Sequence, residues 1–386
     1  MATAEPAPES SVPAGPQRML SLDAFRGLTV AGMILVNNPG TWSHVYGPLK
    51  HAEWHGFTPT DLVFPSFLFI AGVAIPLALG KRLDQGAAAS ELLPRVIRRG
   101  LIIVALGLFL NAFPIVGRDW STLRFPGVLQ RIGLCYLAAA AVYLFVGWRS
   151  QLAILAALLL GYWAAMTLIP VPGVGPGDLS RPNNLAAWLD RLLMPSHLYK
   201  KDYDPEGLLS TLPAIATTLI GVLTGEWLRA GQGKRPIAES VAGLFAAGLV
   251  LYVVGAWWGE VFPINKALWT GSFVLYAAGL SLLLFAFCGW LIEIQGKRGW
   301  AWPLVAFGSN PILAFVGSGL LVRILMMVKV AGRDGAPTTL RSFLYTAGFQ
   351  PWFEPTLASF LFAVSYVLFW LLVVAILYRL KVFIRV

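Results

Sequence analysis

Long apolar runs alternate along this chain with short polar punctuation. Runs of about 18 or more residues with few charges recur near 20–37, 61–80, 96–115, 127–147, 151–169, 211–229, 237–257, 270–292, 302–328 and 356–379. That length is what a helix needs to cross a bilayer. Barrel strands would alternate apolar and polar residues with period two, and these runs do not. The pattern predicts an all-α, polytopic membrane helix bundle of about ten transmembrane helices.

The punctuation is of two kinds. Basic groups, among them Lys81, Arg82, Arg95, Arg98, Arg99, Arg149, Arg229, Lys234, Arg235, Lys297, Arg298, Arg379 and Lys381, recur in short loops on alternate sides of the runs. The positive-inside rule makes that side cytoplasmic, and an even number of spans puts both termini there. The intervening loops, 38–60, 116–126, 170–210, 258–269 and 329–355, are longer and richer in Trp, Pro and Asn. Varied loops gathered in one compartment are where function concentrates. No internal repeat is evident, which gives an inverted-repeat transporter little support.

Composition agrees with the pattern: 57% of residues are hydrophobic and 12% charged, against about 25% charged in soluble domains. The net charge of +10 sits at helix ends, so topology explains it better than nucleic acid does. Cys135 and Cys288 lie inside apolar runs and read as small buried hydrophobes, with no disulfide framework or metal site expected. Residues 1–18, rich in Pro, Ala and Ser, read as a disordered tail and not a cleaved signal. Residues 19–386 then form a single transmembrane domain, inserted by its first helix.

Some polar residues need a reason. Three of the four histidines, His44, His51 and His55, fall in or just before “LKHAEWHGFTPTDLVFP” (49–65). His51 reads either as an interfacial residue bonded to a loop carbonyl or as a group that exchanges protons near neutral pH. Asp61 opens the next helix, as an N-terminal cap partner or as the group that orients His51. Asn37 and Asn38 close the first span, as a cap or as oxyanion donors. Gln130 and Arg131 begin the fourth span, where an Arg often snorkels. Asp204 and Glu206 in “YDPEGLLST”, and Asn265, Lys266 and Trp269 in “PINKALWT”, read as caps and interface anchors or as ligand contacts. Ser309, Asn310 and Pro311 break the ninth span, and broken backbone at membrane depth must face protein or a water-filled cavity. Asp23 and Arg26 share a helix face near the start of the first span, where an ion pair marks a functional position by default. No Walker glycine loop, GxGxxG, HExxH, GxSxG or CxxC occurs, which disfavours soluble nucleotide folds, zinc hydrolysis and α/β-hydrolase chemistry.

Six stretches in order, “LSLDAFRGLTVAGMILVNNPG”, “KHAEWHGFTPTDLVFPSFLFIAGVAI”, “FPGVLQRIG”, “YDPEGLLSTL”, “FPINKALWTGSFVLY” and “GSNPIL”, closely resemble the heparan-α-glucosaminide N-acetyltransferase family of transmembrane acyltransferases. The resemblance covers nearly the whole chain after residue 18. It implies a bacterial plasma (inner) membrane enzyme, expected to be a homodimer, that takes acetyl-CoA from the cytoplasm and acetylates an amino sugar on the opposite face. The family's essential histidine falls on His51, its aspartate on Asp61, and its asparagine before the first outer loop on Asn37 or Asn38. The lysosomal member's lumenal domain and extra leading helix have no counterpart here, and a histidine of its penultimate span is replaced at or near Ser318. A small amino sugar such as glucosamine is therefore expected as acceptor in preference to a large heparan chain.

With that reaction in view, His51, Asp61 and Asn38 are the expected catalytic residues: base, orienting group and oxyanion donor. The basic residues Arg18, Arg26, Lys297, Arg298, Arg379 and Lys381 are expected to hold the coenzyme's phosphates, with its arm passing Ser309 and Asn310. Asn37, Trp54, Gln130, Arg131, Asp204, Glu206, Asn265, Lys266 and Trp269 are expected on the sugar side. Two other readings stay open: a membrane transporter of an amino sugar, and an O-acyltransferase acting on an envelope polysaccharide.

Overall fold

A computed structural model describes residues 19–333 and 335–384; Arg18 and the tail of residues 1–18 lie outside them. The described chain is a bundle of helices: α1 (Leu20–Asn37), α2 (Pro59–Asp84), α3 (Ala89–Ala112), α4 (Val128–Phe145), α5 (Trp148–Leu168), α6 (Leu185–Leu193), α7 (Thr211–Gly231), α8 (Ile237–Trp258), α9 (Gly271–Gly289), α10 (Trp302–Ser309), α11 (Pro311–Met327), α12 (Leu340–Gly348) and α13 (Pro355–Arg379). The strand content is one antiparallel hairpin, β1 (Lys329–Ala331) with β2 (Pro337–Thr339), pairing Val330 with Thr338.

Among the described residues, eight helices are long and apolar enough to cross a membrane. The expected ninth span is a bent pair, α10 and α11, turned by 72° at Asn310. The reason is local: Pro311 has no N–H to continue the first helix and starts the second. The expected third span is present as α3, 24 residues long, but Arg95, Arg98 and Arg99 keep it less apolar than the others. The long loops also hold structure that apolar runs do not announce: α6 lies within 170–210, and the hairpin with α12 within 329–355.

Close backbone approach sets the bundle's centre. A Cβ at Gly72 would lie 2.0 Å from the Thr218 carbonyl oxygen, and one at Gly221 2.1 Å from that of Phe69. Only glycine lets α2 and α7 meet this closely, as small residues do between membrane helices.

The long loops gather at one end of the bundle. Gly56 N–H donates to the Ile264 carbonyl, Phe125 N–H to that of His197, and Gly40 N–H to that of Ser359. The basic helix ends gather at the other, where Asp84 pairs with Arg229 and the Ser21 N–H donates to Glu293. Both cysteines are buried and unpaired.

Candidate functional site

Three groups converge at the loop-rich end. Pro59 starts α2, and Thr58 and Asp61 form a reciprocal capping box around its first turn. The same carboxylate reaches past the cap. Asp61 Oδ1 lies 2.7 Å from His51 Nδ1, and Oδ2 accepts the N–H groups of Ala52 and Thr58, each at 3.1 Å. An ionised carboxylate only accepts, so the hydrogen of this contact is on Nδ1. The His51 side chain is 48% exposed while that of Asp61 is 1% exposed. Lys266 Nζ stands 3.4 Å from Asp61 Oδ1 and 3.1 Å from His51 Nδ1. Its cation balances the buried carboxylate. Burial pulls the Lys266 ammonium below the usual lysine range, with Asp61 and Glu206 pulling back.

A second charged cluster lies beside it. Arg124 donates from Nε and Nη2 to the two oxygens of Asp204, at 2.8 and 2.6 Å, and also to Glu206. Burial lowers the Arg124 guanidinium, but the two carboxylates outweigh it and hold it above the usual arginine range. Arg131, 1% exposed, donates from Nη2 to the Gly207 carbonyl at 3.1 Å and stacks over Trp269 at 5.0 Å. Trp269 in turn donates to Thr217 Oγ1. This packing corrects two sugar-side expectations. Trp269 and Asn265 are both buried, and Asn265 is occupied with the Leu268 N–H and His55, so neither offers a surface to a sugar. Trp54 donates to the Leu179 carbonyl and meets Tyr203 edge-on, which ties the His51 loop to the 170–210 loop.

Two cavities run along the same helices. The inner one, about 620 Å³, is lined by Asp23, Arg26, Arg82, Arg99, Tyr136 and Ser309, among others. The outer one, about 240 Å³, is lined by Asn37, Asn38, Asn111, Arg124, Gln130 and Arg323, among others. Ile103, Ile132 and Ile312 face the inner cavity, and Gly107, Leu129 and Phe315 the outer. These pairs are three or four residues apart on α3, α4 and α11, which is one helical turn, about 5.4 Å.

Of the residues expected to meet the coenzyme, Arg26 and Ser309 line the inner cavity. Arg26 pairs with Asp23 at 3.1 Å. Lys297, Arg298, Arg379 and Lys381 do not line it: all four are exposed, their long side chains carried by the bundle's periphery. Asn310 does not line it either. Its carboxamide holds the segment that follows α13, donating to the Val382 carbonyl at 3.0 Å and accepting from the Ile384 N–H at 2.8 Å. Sequence reasoning missed Arg82 and Arg99 as cavity residues, because they read as ordinary basic helix ends. Arg99 stacks over Tyr136 at 4.9 Å. Arg124 was missed as well; its signal was an arginine directly before “FPGVLQR”.

The family model described as “Heparan-alpha-glucosaminide N-acetyltransferase, catalytic” matches residues 18–262. Curated proteins named heparan-alpha-glucosaminide N-acetyltransferase are similar over most of the chain. The one from Mus musculus is 31% identical over 359 residues, 79% of this chain and 54% of its own length. The one from Homo sapiens is 31% identical over 357 residues, 78% of this chain and 53% of its own. The chain spans about half the length of the curated relatives it matches.

Proposed function

The chain belongs to the heparan-alpha-glucosaminide N-acetyltransferase family, and on that premise we propose that it moves an acetyl group from cytoplasmic acetyl-CoA to the amine of a glucosamine-type sugar at the opposite face. The observation that carries this reading is the pair of cavities one turn apart. A basic cavity at one end suits an anionic coenzyme, and one that carries Asn37, Asn38, Asn111 and Arg124 among apolar side chains at the other suits a sugar-sized acceptor. The inner volume lies within the range of small-molecule sites, about 300–1,000 Å³.

In this reading Arg26, Arg82 and Arg99 hold the coenzyme's phosphates. The thin pantetheine arm passes between α1, α3, α4 and α11, and brings the thioester to the outer cavity. The sugar reacts as its free amine, the ammonium having given one proton to solvent, and the nitrogen's lone pair forms a bond to the thioester carbon while the C=O π pair moves onto oxygen. His51 takes at Nε2 the second proton, which the nitrogen sheds as that bond forms, and Asp61 holds the ring so that Nε2 faces the acceptor. Collapse of that oxyanion breaks the C–S bond, and the departing thiolate takes the proton from the His51 imidazolium. The products are an N-acetyl sugar and free CoA thiol. Glu206, with Asp204 behind it, supplies carboxylate on the acceptor side. The expected homodimer and the plasma-membrane location belong to the same reading and rest on the family alone.

Sealed vesicles of one orientation test it. Isotope-labelled acetyl-CoA is supplied at the basic side, glucosamine at the other, and the labelled N-acetyl sugar is measured by mass spectrometry. Labelled product on the sugar's side is expected. Sugar movement without acetylation would support a transporter instead, and acetyl ester on a polysaccharide hydroxyl would support the O-acyltransferase.

A further inference from the structure

The chain turns back on itself after α13. The helix ends in a Schellman motif: the Lys381 N–H donates to the Tyr378 carbonyl at 3.1 Å and the Val382 N–H to that of Leu377 at 2.9 Å. The turning position needs a positive φ and is usually glycine; here Lys381 takes it, at φ 56°, against the strain its Cβ brings. Residues 382–384 then run back to the break between α10 and α11, where Asn310 receives them. Asn310 is buried, and both ends of its carboxamide hold this segment, Nδ2 at the Val382 carbonyl and Oδ1 at the Ile384 N–H. A strained turn and a two-point clamp on so short a segment point to a position that must be kept.

That position is the wall of the inner cavity. Phe383 and Ile384 line it beside Gly308, Ser309 and Pro311, although Asn310 itself does not. Phe383 is half-buried and packs its ring against that of Tyr378, with centroids 6.2 Å apart and planes at 69°. The cavity has two other aromatic residues. Tyr136 is buried and covered by the Arg99 guanidinium, and Phe67 lies deep on α2, far from its basic end. Phe383 follows the basic end of α13, so it stands at the cavity's mouth together with Arg26 and Arg82. A coenzyme whose thioester reaches the outer cavity leaves its nucleotide at that mouth. The arginines answer its phosphates. The adenine is flat and uncharged, and its faces call for an aromatic surface beside them.

We propose that Phe383 supplies the stacking face for the adenine ring of the acetyl donor, and that Asn310 is the positioning residue that keeps it there. This rests on the acetyltransferase reading above, through its donor. Asn310 then serves the coenzyme without touching it, by docking residues 382–384 against the cavity.

The test titrates the purified full chain with CoA, adenosine 3′,5′-bisphosphate and 4′-phosphopantetheine, in wild type, Phe383→Ala, Phe383→Trp and Asn310→Ala. The second ligand carries the adenine without the arm, and the third the arm without the adenine. Phe383→Ala and Asn310→Ala are each expected to weaken CoA and adenosine 3′,5′-bisphosphate by roughly tenfold, and 4′-phosphopantetheine by less than about twofold. Phe383→Trp keeps an aromatic face and is expected to bind the adenine-bearing ligands at least as tightly as wild type. Wild-type affinity for CoA in Phe383→Ala overturns the proposal, and so does an equal loss for 4′-phosphopantetheine; Phe383→Ala decides if Asn310→Ala does not fold. A wild type that binds no CoA would bring down the acetyltransferase reading itself, whereas CoA binding that ignores Phe383 would bring down this proposal alone.

Discussion

His51 and Asp61 are ten residues apart in the chain and 2.7 Å apart in space, Nδ1 to Oδ1. The same aspartate is the capping-box partner of Thr58 in the first turn of α2. One carboxylate therefore fixes both the direction of α2 and the orientation of the ring above it, and the two roles separate by experiment. Asp61→Asn keeps the size of the group but removes the charge that holds Nδ1–H. It is expected to lower kcat by roughly 10²–10⁴-fold with little change in acetyl-CoA KM. Its cost in stability, read by thermal shift, is expected to be on the order of 3 kcal/mol, because the Lys266 ammonium loses its buried counter-charge.

The inner cavity separates working arginines from topological ones. Arg99→Ala and Arg82→Ala are each expected to raise the acetyl-CoA KM by roughly tenfold, the worth of one charge-assisted contact, with kcat largely kept. Lys297→Ala, Arg298→Ala and Arg379→Ala are expected to leave it unchanged, because these exposed residues lie off the cavity wall. Steady-state kinetics on the five variants checks both halves.

Gly221 faces α2 so closely that a Cβ would meet the Phe69 carbonyl oxygen at 2.1 Å. Gly221→Val is expected to force α2 and α7 apart, at a cost of several kcal/mol from overpacking. Loss of the monodisperse species in size-exclusion chromatography, or a sharply lower melting temperature in detergent, is the expected result. A melting temperature equal to wild type would show that the interface yields.

Asp190 on α6 is buried, and its carboxylate accepts the Leu208 N–H at 2.9 Å. Burial pushes its carboxyl up from 3.8 to about 6. The folded state thus holds more protons than the unfolded one between those values, and stability falls as pH rises through that window. The penalty is absent below the unfolded value and complete above about 6. Asp190→Asn keeps an acceptor for Leu208 and removes the charge. It is expected to stabilise the protein at neutral pH by up to about 3 kcal/mol and to flatten the pH dependence of melting across the window.

Much of the bundle was legible in the sequence because bilayer-length apolar runs leave few alternatives; α1, α2, α4, α7 and α13 fall where the runs predict. The Asn310–Pro311 break was legible for the same reason, since proline cannot continue a helix. What Asn310 binds was not, because Val382 and Ile384 come from the far end of the chain. At the site, “KHAEW” and “TDLVFP” announced His51 and Asp61 through proximity in sequence. The clamp of Arg124 on Asp204 and Glu206 joins residues about eighty positions apart, and no local pattern encodes it. Trp269 looked like an interface anchor because its sequence context matches one; its burial follows from Arg131 and Thr217, which only the fold brings to its ring. Arg99 carries the same positive charge as the peripheral basic residues, and its place at the inner cavity depends on how α3 packs on α4.

The most direct test of the central claim is the rate of CoA thiol release from acetyl-CoA on addition of glucosamine, in wild type and His51→Ala. The account predicts release that needs the sugar in wild type and falls by roughly 10²-fold or more without the imidazole. Sugar-dependent release at the wild-type rate in His51→Ala would contradict it.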